Sequence, residues 1–270
     1  MANPSRRKLN QLQRLPDSAL VDAAWLEHHG YSSSLRSQYV KAGWLNQPAP
    51  RVYRRGNGPL QWQQVVTSLQ AFMDSELTVG GRTALEELGY SHYLGRRREV
   101  HLYGPLKAPS WLNALPLDVR FHWHNSLRLF PADPEPPYSP NPEPASFLPG
   151  GFLATAGSMQ WGMRLSSAER ALFQLLDELP ARESFHQVDK LVEGLANLSP
   201  RRLQIQLETS RSVKVKRLFF FFADRHRHAW LDGINKEAVD LGTGKRMLVK
   251  GGKLDPTYLI TVPGDLDGVS

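Results

Sequence analysis

Apolar and polar positions recur with a helical period along the first 45 residues and are interrupted by short turn signals. The pattern predicts a first helix over Arg6–Leu15 that Pro16 ends, and a second helix that ends near Gly30. A third, shorter helix is predicted over 34–42, where one of three preceding serines caps it and Gly43 stops it. The chain is therefore expected to begin with three short helices joined by tight turns.

A basic segment follows the third helix and alternates as a short strand does. It runs over Arg51–Arg55 and leads into the glycine turn Gly56–Gly58, which predicts a β-ribbon. A helix, a turn, a short polar-faced helix and a β-ribbon in that order are typical of a winged helix-turn-helix domain. The side chains expected to face the major groove of DNA are Ser33, Arg36, Ser37, Gln38 and Lys41. Those expected to meet the DNA backbone from the ribbon are Arg51, Arg54 and Arg55.

The rest of the chain changes from a mixed pattern to a helical one. Residues 59–130 predict an amphipathic helix, a strand–glycine turn–helix unit in "LTVGGRTALEELG", and strands in "REVHLYG" and "DVRFHWHNS". Residues 131–151 hold eight prolines, which predict a linker or, alternatively, a PxxP ligand for an SH3-like partner. Residues 152–270 predict four helices and a terminal β-hairpin that turns at Gly251–Gly252. The expected fold class is α/β (α+β), with a winged helix-turn-helix over 1–58 and a mixed α/β C-terminal part.

Positive charge is concentrated in two blocks. The whole sequence carries a net charge of +7, which favours a polyanionic partner. Residues 1–55 contain nine Lys/Arg against three acids, and residues 199–228 contain eight against two. The second block predicts another basic surface, formed by Arg201, Arg202, Arg211, Lys214, Lys216 and Arg217. Such a surface would bind phosphates, dock an acidic protein or serve only as a solvated face.

The sequence lacks the residue patterns of common catalytic and metal sites. It has no cysteine, which excludes disulfides, thiolate zinc sites and a cysteine nucleophile. "VGGRTAL" lacks the spacing of a phosphate loop or a dinucleotide fingerprint, so a tight strand-to-helix turn is favoured. His122 and His124 would share one strand face as a candidate metal pair, but no acidic residue stands beside them at ligand spacing. We therefore expect no enzymatic activity, no catalytic residues, no metal and no cofactor.

Hydropathy gives no indication of a membrane protein. No apolar run approaches the roughly 20 residues that a membrane-spanning helix requires. The charged N-terminus is not followed by the apolar stretch of a secretory signal. We therefore expect a cytoplasmic protein that does not contact a membrane.

Several segments, taken together and in order, resemble the AbiEi family of bacterial antitoxins. They are "WLEHHGYSSSLRSQYVKAGWL" with "RVYRRG", then "VGGRTALEELGYSHYLG", "LSSAERALFQLLDELP", "RLFFFFADRHRHAWLDGI" and "GKRMLVKGGKLDPTYLITVP". The resemblance implies a C-terminal antitoxin domain and an N-terminal winged helix-turn-helix whose helix 34–42 and wing 51–55 face operator double-stranded DNA. It also implies negative autoregulation of a two-gene abortive-infection operon. The implied toxin is an AbiEii-type nucleotidyltransferase, and direct contact with that toxin stays open.

Two other functions stay open from the residues alone. A nuclease-like enzyme with a DNA-binding head would need a convergent acidic or metal cluster, which the sequence does not indicate. A protein-interaction module without DNA binding would use the two basic blocks to hold an acidic partner. Metal-dependent DNA cleavage would favour the first alternative, and nucleic acid that co-purifies with the chain would argue against the second.

Overall fold

A computed structural model describes most of the chain, in five stretches. They are residues 4–13, 15–17, 19–90, 99–131 and 162–266. The predicted linker 131–151 lies outside these stretches, apart from its first residue. The described residues divide into two compact units. The described residues of the first unit are 4–13, 15–17, 19–77, 99–123 and 162–164, and those of the second are 78–90, 124–131 and 165–266.

Three helices and three strands form the N-terminal part of the first unit. In chain order they are α1 (Pro4–Leu12), β1 (Leu20–Asp22), α2 (Ala23–His28), α3 (Ser33–Lys41), β2 (Asn46–Ala49) and β3 (Val52–Arg54). The strands make an antiparallel sheet in the order β1-β3-β2. Apolar residues of all three helices, including Leu12, Leu26 and Tyr39, pack with Val21 and Tyr53 into one core. This order of helices and strands is that of a winged helix-turn-helix, as the sequence pattern predicts.

The second helix begins later than the sequence pattern predicts. Leu20 and Val21 lie in β1, where Leu20 pairs with Arg54 and its N–H donates to Ser68 Oγ at 3.0 Å. The Asp22 carboxylate then accepts the Trp25 N–H at 2.8 Å, which caps α2. The helix therefore begins after the Asp22 cap. The residues before the cap pair with β3 as a strand, although their apolar spacing fits a helix.

The hairpin turn of the wing also lies elsewhere than predicted. Ala49 pairs with Val52 across a two-residue turn formed by Pro50 and Arg51. The glycines at 56–58 follow β3, and Gly56 donates its N–H to the Asp17 carbonyl at 3.2 Å. Proline at the first central position of a β-turn presets the backbone for that turn, which the sequence prediction overlooked.

The remaining elements complete the first unit and form the second. They are α4 (Trp62–Phe72), β4 (Thr78–Val79), α5 (Gly81–Glu87), β5 (Glu99–Gly104), β6 (Arg120–Asn125), α6 (Ala168–Asp177), α7 (Phe185–Glu193), α8 (Pro200–Thr209), α9 (Val213–His226), β7 (Lys253–Leu254) and β8 (Thr261–Val262). In the first unit, Val65, Val66 and Leu69 of α4 are buried, as their helical spacing predicts. None of the described helices is long and apolar enough to cross a membrane.

The core of the second unit is built around α6, which packs against α5, α8 and α9. Phe173 of α6 stacks on Phe219 of α9 with ring centroids 5.3 Å apart. Three of the four consecutive phenylalanines of α9 are buried, because that helix has neighbours on several sides. The C-terminal hairpin pairs β7 with β8, so Gly251–Gly252 precedes it and does not form its turn. A side chain at Gly252 would collide with the Val262 carbonyl, which explains the glycine.

Polar groups of the segment "VGGRTAL" bond to other residues of the second unit. Gly81 has a positive φ of 55°, and its N–H donates to Gln174 Oε1 at 2.9 Å. The Arg82 guanidinium forms a buried ion pair with Glu183, with Nε 2.8 Å from Oε1. These bonds fasten the start of α5 to neighbouring segments and favour a structural turn over an anion-binding loop.

Candidate nucleic-acid interface

Helix α3 presents a continuous polar face to solvent. Ser32 caps it, since the serine Oγ accepts the Leu35 N–H at 3.3 Å. The predicted contact residues Ser33, Ser37, Gln38 and Lys41 are all exposed. Successive members of the series at 33, 37 and 41 are four residues apart and therefore share one stripe of the helix. Lys41 forms no hydrogen bond or ion pair with any described residue, so its ammonium is available to an external anion.

Arg36 does not belong to this face, contrary to the sequence prediction. Its residue exposure is only 5%. One guanidinium nitrogen donates to the Tyr31 carbonyl at 2.9 Å and another to Glu27 Oε1 at 2.7 Å. Tyr39 and Val40, three and four residues later, also turn toward the core, so Arg36 lies on the inward stripe. Arg36 therefore ties α3 to the segment before it and is unavailable to DNA.

Two exposed residues, one in α3 and one shortly after it, were not predicted as DNA contacts. Ser34 lies one helical turn before Gln38 on the exposed side. Trp44 follows the helix, is 41% exposed and stacks on Tyr39 with ring centroids 6.3 Å apart. The sequence did contain one signal for Trp44, namely a tryptophan directly after the glycine that ends the helix. Both side chains border the polar face that the prediction describes.

Only one of the three ribbon arginines is free at the surface. Arg51 is exposed at the hairpin tip, and its side chain bonds to no described residue. Arg54 is 6% exposed and donates to the Gly56 carbonyl at 2.6 Å and the Gly58 carbonyl at 2.5 Å. Burial lowers the pKa of Arg54 below its usual value. The prediction that Arg54 meets the DNA backbone is therefore wrong, because its guanidinium satisfies carbonyls of the following turn.

Arg55 is partly exposed and also bonds within the protein, so it lies between the free Arg51 and the buried Arg54. It donates to the carbonyls of Gln13 and Leu15 and lies 3.2 Å from Asp17 Oδ1. Its side chain is 27% exposed. These bonds connect the end of β3 to the segment after α1. A phosphate would therefore have to compete with an internal carboxylate for this guanidinium.

The second basic block does not form the surface that the sequence predicts. Lys216 is 8% exposed and Arg217 is 2% exposed, so both are buried. Arg217 donates to the Leu241 carbonyl at 2.7 Å and the Gly244 carbonyl at 2.6 Å. Lys214 donates to the Leu179 carbonyl at 3.0 Å and pairs with Asp177 at 3.2 Å, at the carboxyl end of α6. The remaining members of the predicted surface, all exposed, are Arg201, Arg202 and Arg211.

A different segment of the second unit carries exposed cations. Residues 241–254 contain four Lys/Arg and no acid. Lys245, Arg246 and Lys250 are exposed, and their side chains bond to no residue within the described ranges. The Arg246 N–H donates to the Leu259 carbonyl at 2.8 Å, which fixes the backbone of this segment. The sequence prediction missed it because its four cations are spread over a glycine-rich stretch.

The two histidines considered as a metal pair each lie near a carboxylate. His122 Nε2 lies 3.6 Å from Glu99 Oε1, and His124 Nδ1 lies 3.0 Å from Glu178 Oε1. Burial alone would raise the pKa of Glu178. Bonds and charge from His124, and then from Arg182, outweigh that effect and lower the pKa to about 2. Glu178 is therefore ionised at neutral pH and accepts from both neighbours.

Two family models match adjacent parts of this chain and together cover residues 5–263. Residues 5–96 match the AbiEi antitoxin N-terminal domain of a transcriptional regulator. Residues 97–263 match the transcriptional regulator, AbiEi antitoxin, of a type IV toxin–antitoxin system. The chain belongs to the AbiEi antitoxin family. It is therefore an antitoxin and DNA-binding transcriptional regulator, and its winged helix-turn-helix lies within the N-terminal match.

A solved structure supports the fold of this AbiEi protein. The crystal structure of the RV2827C protein from Mycobacterium tuberculosis is similar, with a TM-score of 0.56 and 14% sequence identity. The similarity covers 96% of this chain and 90% of that chain. At this identity the likeness concerns the fold alone. None of the curated proteins matches the sequence.

Proposed function

We propose that this AbiEi regulator represses its own operon by binding operator DNA through α3 and the tip of the β2–β3 hairpin. The observation that carries the proposal is the exposed polar stripe on α3, which follows a tight turn in a winged helix-turn-helix. Serine hydroxyls and the Gln38 amide can bond base edges in a major groove. Lys41 and Arg51 supply charge for phosphates or groove walls, whereas Arg36 and Arg54 support the fold.

A salt titration of operator binding tests this assignment. We expect Lys41→Ala to lower the slope of log affinity against log salt by about 0.9, because one phosphate contact is lost. The weakening should be similar on every DNA sequence, as for a backbone contact. Lys107→Ala, which removes an exposed lysine of the same unit outside α3 and the hairpin, is the matched control. An unchanged slope for Lys41→Ala would contradict the proposed phosphate contact of α3.

We further propose that the chain counters a nucleotidyltransferase toxin encoded in the same operon. Support comes from the antitoxin description of the family that matches residues 97–263. The test uses a full-length chain with Ser37→Glu and Lys41→Glu, whose added negative charge should repel operator DNA. We expect this variant to lose repression of a reporter and still restore growth to cells that express the toxin. Loss of both activities in a folded variant would contradict a separate antitoxin surface.

We also propose that the chain is not an enzyme. Neither family description names a catalytic activity. Operator DNA incubated with the purified protein and Mg²⁺ is expected to stay intact. Cleavage that a chelator abolishes would favour the nuclease-like alternative. The protein-interaction alternative predicts no retention of operator DNA at all, so the salt titration decides it.

A further inference from the structure

Arg51 holds a backbone conformation that arginine rarely adopts. It is the second residue of the two-residue turn between Ala49 and Val52, and its φ is 64°. Pro50 occupies the first position, and its ring restricts φ to about −65°. A proline followed by a residue with positive φ corresponds to a type II turn, whose second central position favours glycine or asparagine. The chain instead places a bulky cation at a position that disfavours most side chains.

The Arg51 side chain has no polar contact within the described residues that would offset this strain. The side chain is exposed and forms no hydrogen bond or ion pair with any residue in the described ranges. Its carbonyl accepts the Ala23 N–H at 2.8 Å, a bond that any residue could make. Arg54 and Arg55, the other two arginines of the ribbon, both bond to carbonyls of the protein. Residues held in strained conformations cluster at functional sites, which points to an external partner for Arg51.

The chemistry of the tip indicates which part of DNA this arginine meets. Arg51 is the only charged residue among the two turn residues and the flanking Ala49 and Val52. A single guanidinium at the tip adds one positive charge, as Lys41 does, so charge alone does not distinguish a phosphate from a groove as its partner. Arginine is more weakly hydrated than lysine, and it enters narrow A/T-rich minor grooves, where the negative potential is strongest.

We propose that Arg51 inserts into the operator minor groove beside the major-groove site of α3 and selects A/T-rich flanks there. This inference rests on the proposed operator binding and adds a specificity-determining residue to it. The turn backbone, anchored by Ala23, holds the guanidinium at the end of the hairpin. Specificity would then come from groove width and potential in addition to the base contacts of α3.

Three versions of one operator duplex test the proposal. The duplex is the promoter segment that the wild-type chain protects in a footprint. Its flanking base pairs are made all A·T, all G·C, or all inosine·cytosine. Inosine lacks the N2 amino group that distinguishes guanine in the minor groove, while its major-groove edge is that of guanine. We expect wild-type binding to weaken about tenfold on G·C flanks, within the usual effect of altered base pairs. Binding should recover on inosine·cytosine flanks.

Variants at position 51 identify the residue responsible. Arg51→Gly should bind the A·T duplex about tenfold more weakly and bind all three duplexes equally. Arg51→Lys should keep part of the affinity through its charge and lose most of the flank dependence. Lys41→Ala should weaken binding yet retain the flank dependence, because its contact is with phosphate. Thermal denaturation of Arg51→Gly should show an equal or higher midpoint, since glycine relieves the strain.

The outcomes separate this inference from the proposed function. Equal wild-type binding to all three duplexes, or flank dependence that persists in Arg51→Gly, would overturn the inference while operator binding stands. If the wild-type chain protects no segment of the promoter, the proposed operator binding itself fails.

Discussion

The two basic blocks of this chain carry the same excess of charge and use it differently. Residues 1–55 and 199–228 each hold six more cations than acids, from nine against three and eight against two. The first block buries Arg36 and Arg54, and it keeps Lys41 exposed on α3 and Arg51 exposed at the tip of the β2–β3 hairpin. The second block buries Lys216 and Arg217 inside its unit. Local charge density therefore did not distinguish exposed cations from cations that bond within the fold.

Both blocks nevertheless contain the same structural use of arginine. Arg36 bonds the carbonyls of Tyr31 and Ala23, and Arg217 bonds those of Leu241 and Gly244. A guanidinium offers five donors in a planar fork and can satisfy several carbonyls of an irregular segment. Each such arginine fastens a loop to a helix. The blocks differ in which cations stay exposed once these structural bonds are made.

The largest expected effect concerns Arg217. Arg217→Ala should lower the free energy of unfolding by about 3–5 kcal/mol, because it leaves buried carbonyls without donors and opens a cavity. Arg201→Ala, an exposed cation of the same block, should change it by less than about 0.5 kcal/mol. Urea denaturation of the full chain measures both. Equal losses of unfolding free energy in the two variants would contradict the structural role of the buried Arg217.

Acid should destabilise the second unit by protonating one buried carboxylate, that of Glu178. The folded-state pKa of Glu178 is about 2, below its ordinary value of 4.5. Its stabilisation is therefore fully present above about pH 4.5 and is lost as the pH falls toward 2. We expect a loss on the order of 3 kcal/mol over that window, by the linkage of pKa to stability. Glu178→Gln should remove this part of the acid dependence, and denaturation between pH 5 and 2 would detect it.

A smaller effect is expected at Arg36 and sharpens the contrast within α3. Arg36→Ala should lower the free energy of unfolding by about 2 kcal/mol, since carbonyls of the preceding segment lose their donor. Lys41→Ala should leave stability unchanged within about 0.5 kcal/mol and weaken DNA binding alone. Thermal denaturation and operator binding, measured on both variants, separate the two roles. A stable Arg36→Ala variant with weak DNA binding would restore the original prediction for Arg36.

Two of the wrong contact residues could have been recognised from the sequence. Arg36 precedes Tyr39 by three residues and Val40 by four, which places it on the apolar stripe of α3. Arg54 is two residues after Val52, so both lie on the same face of β3, and Val52 is fully buried. Burial of Arg217 had no comparable signal, because its guanidinium bonds to segments more than 20 residues away.

By itself, the amino-acid sequence determined the order of the helices, most of the strands, the wing and the family. These features follow from local periodicity, caps and turn residues, which act over a few positions. Only the tertiary structure decided that Lys216 and Arg217 are buried, and only it placed Gly251–Gly252 before the C-terminal hairpin. A guanidinium or ammonium bonds to whichever carbonyls the fold leaves without donors. Those carbonyls are brought close by packing between residues that are distant in the chain.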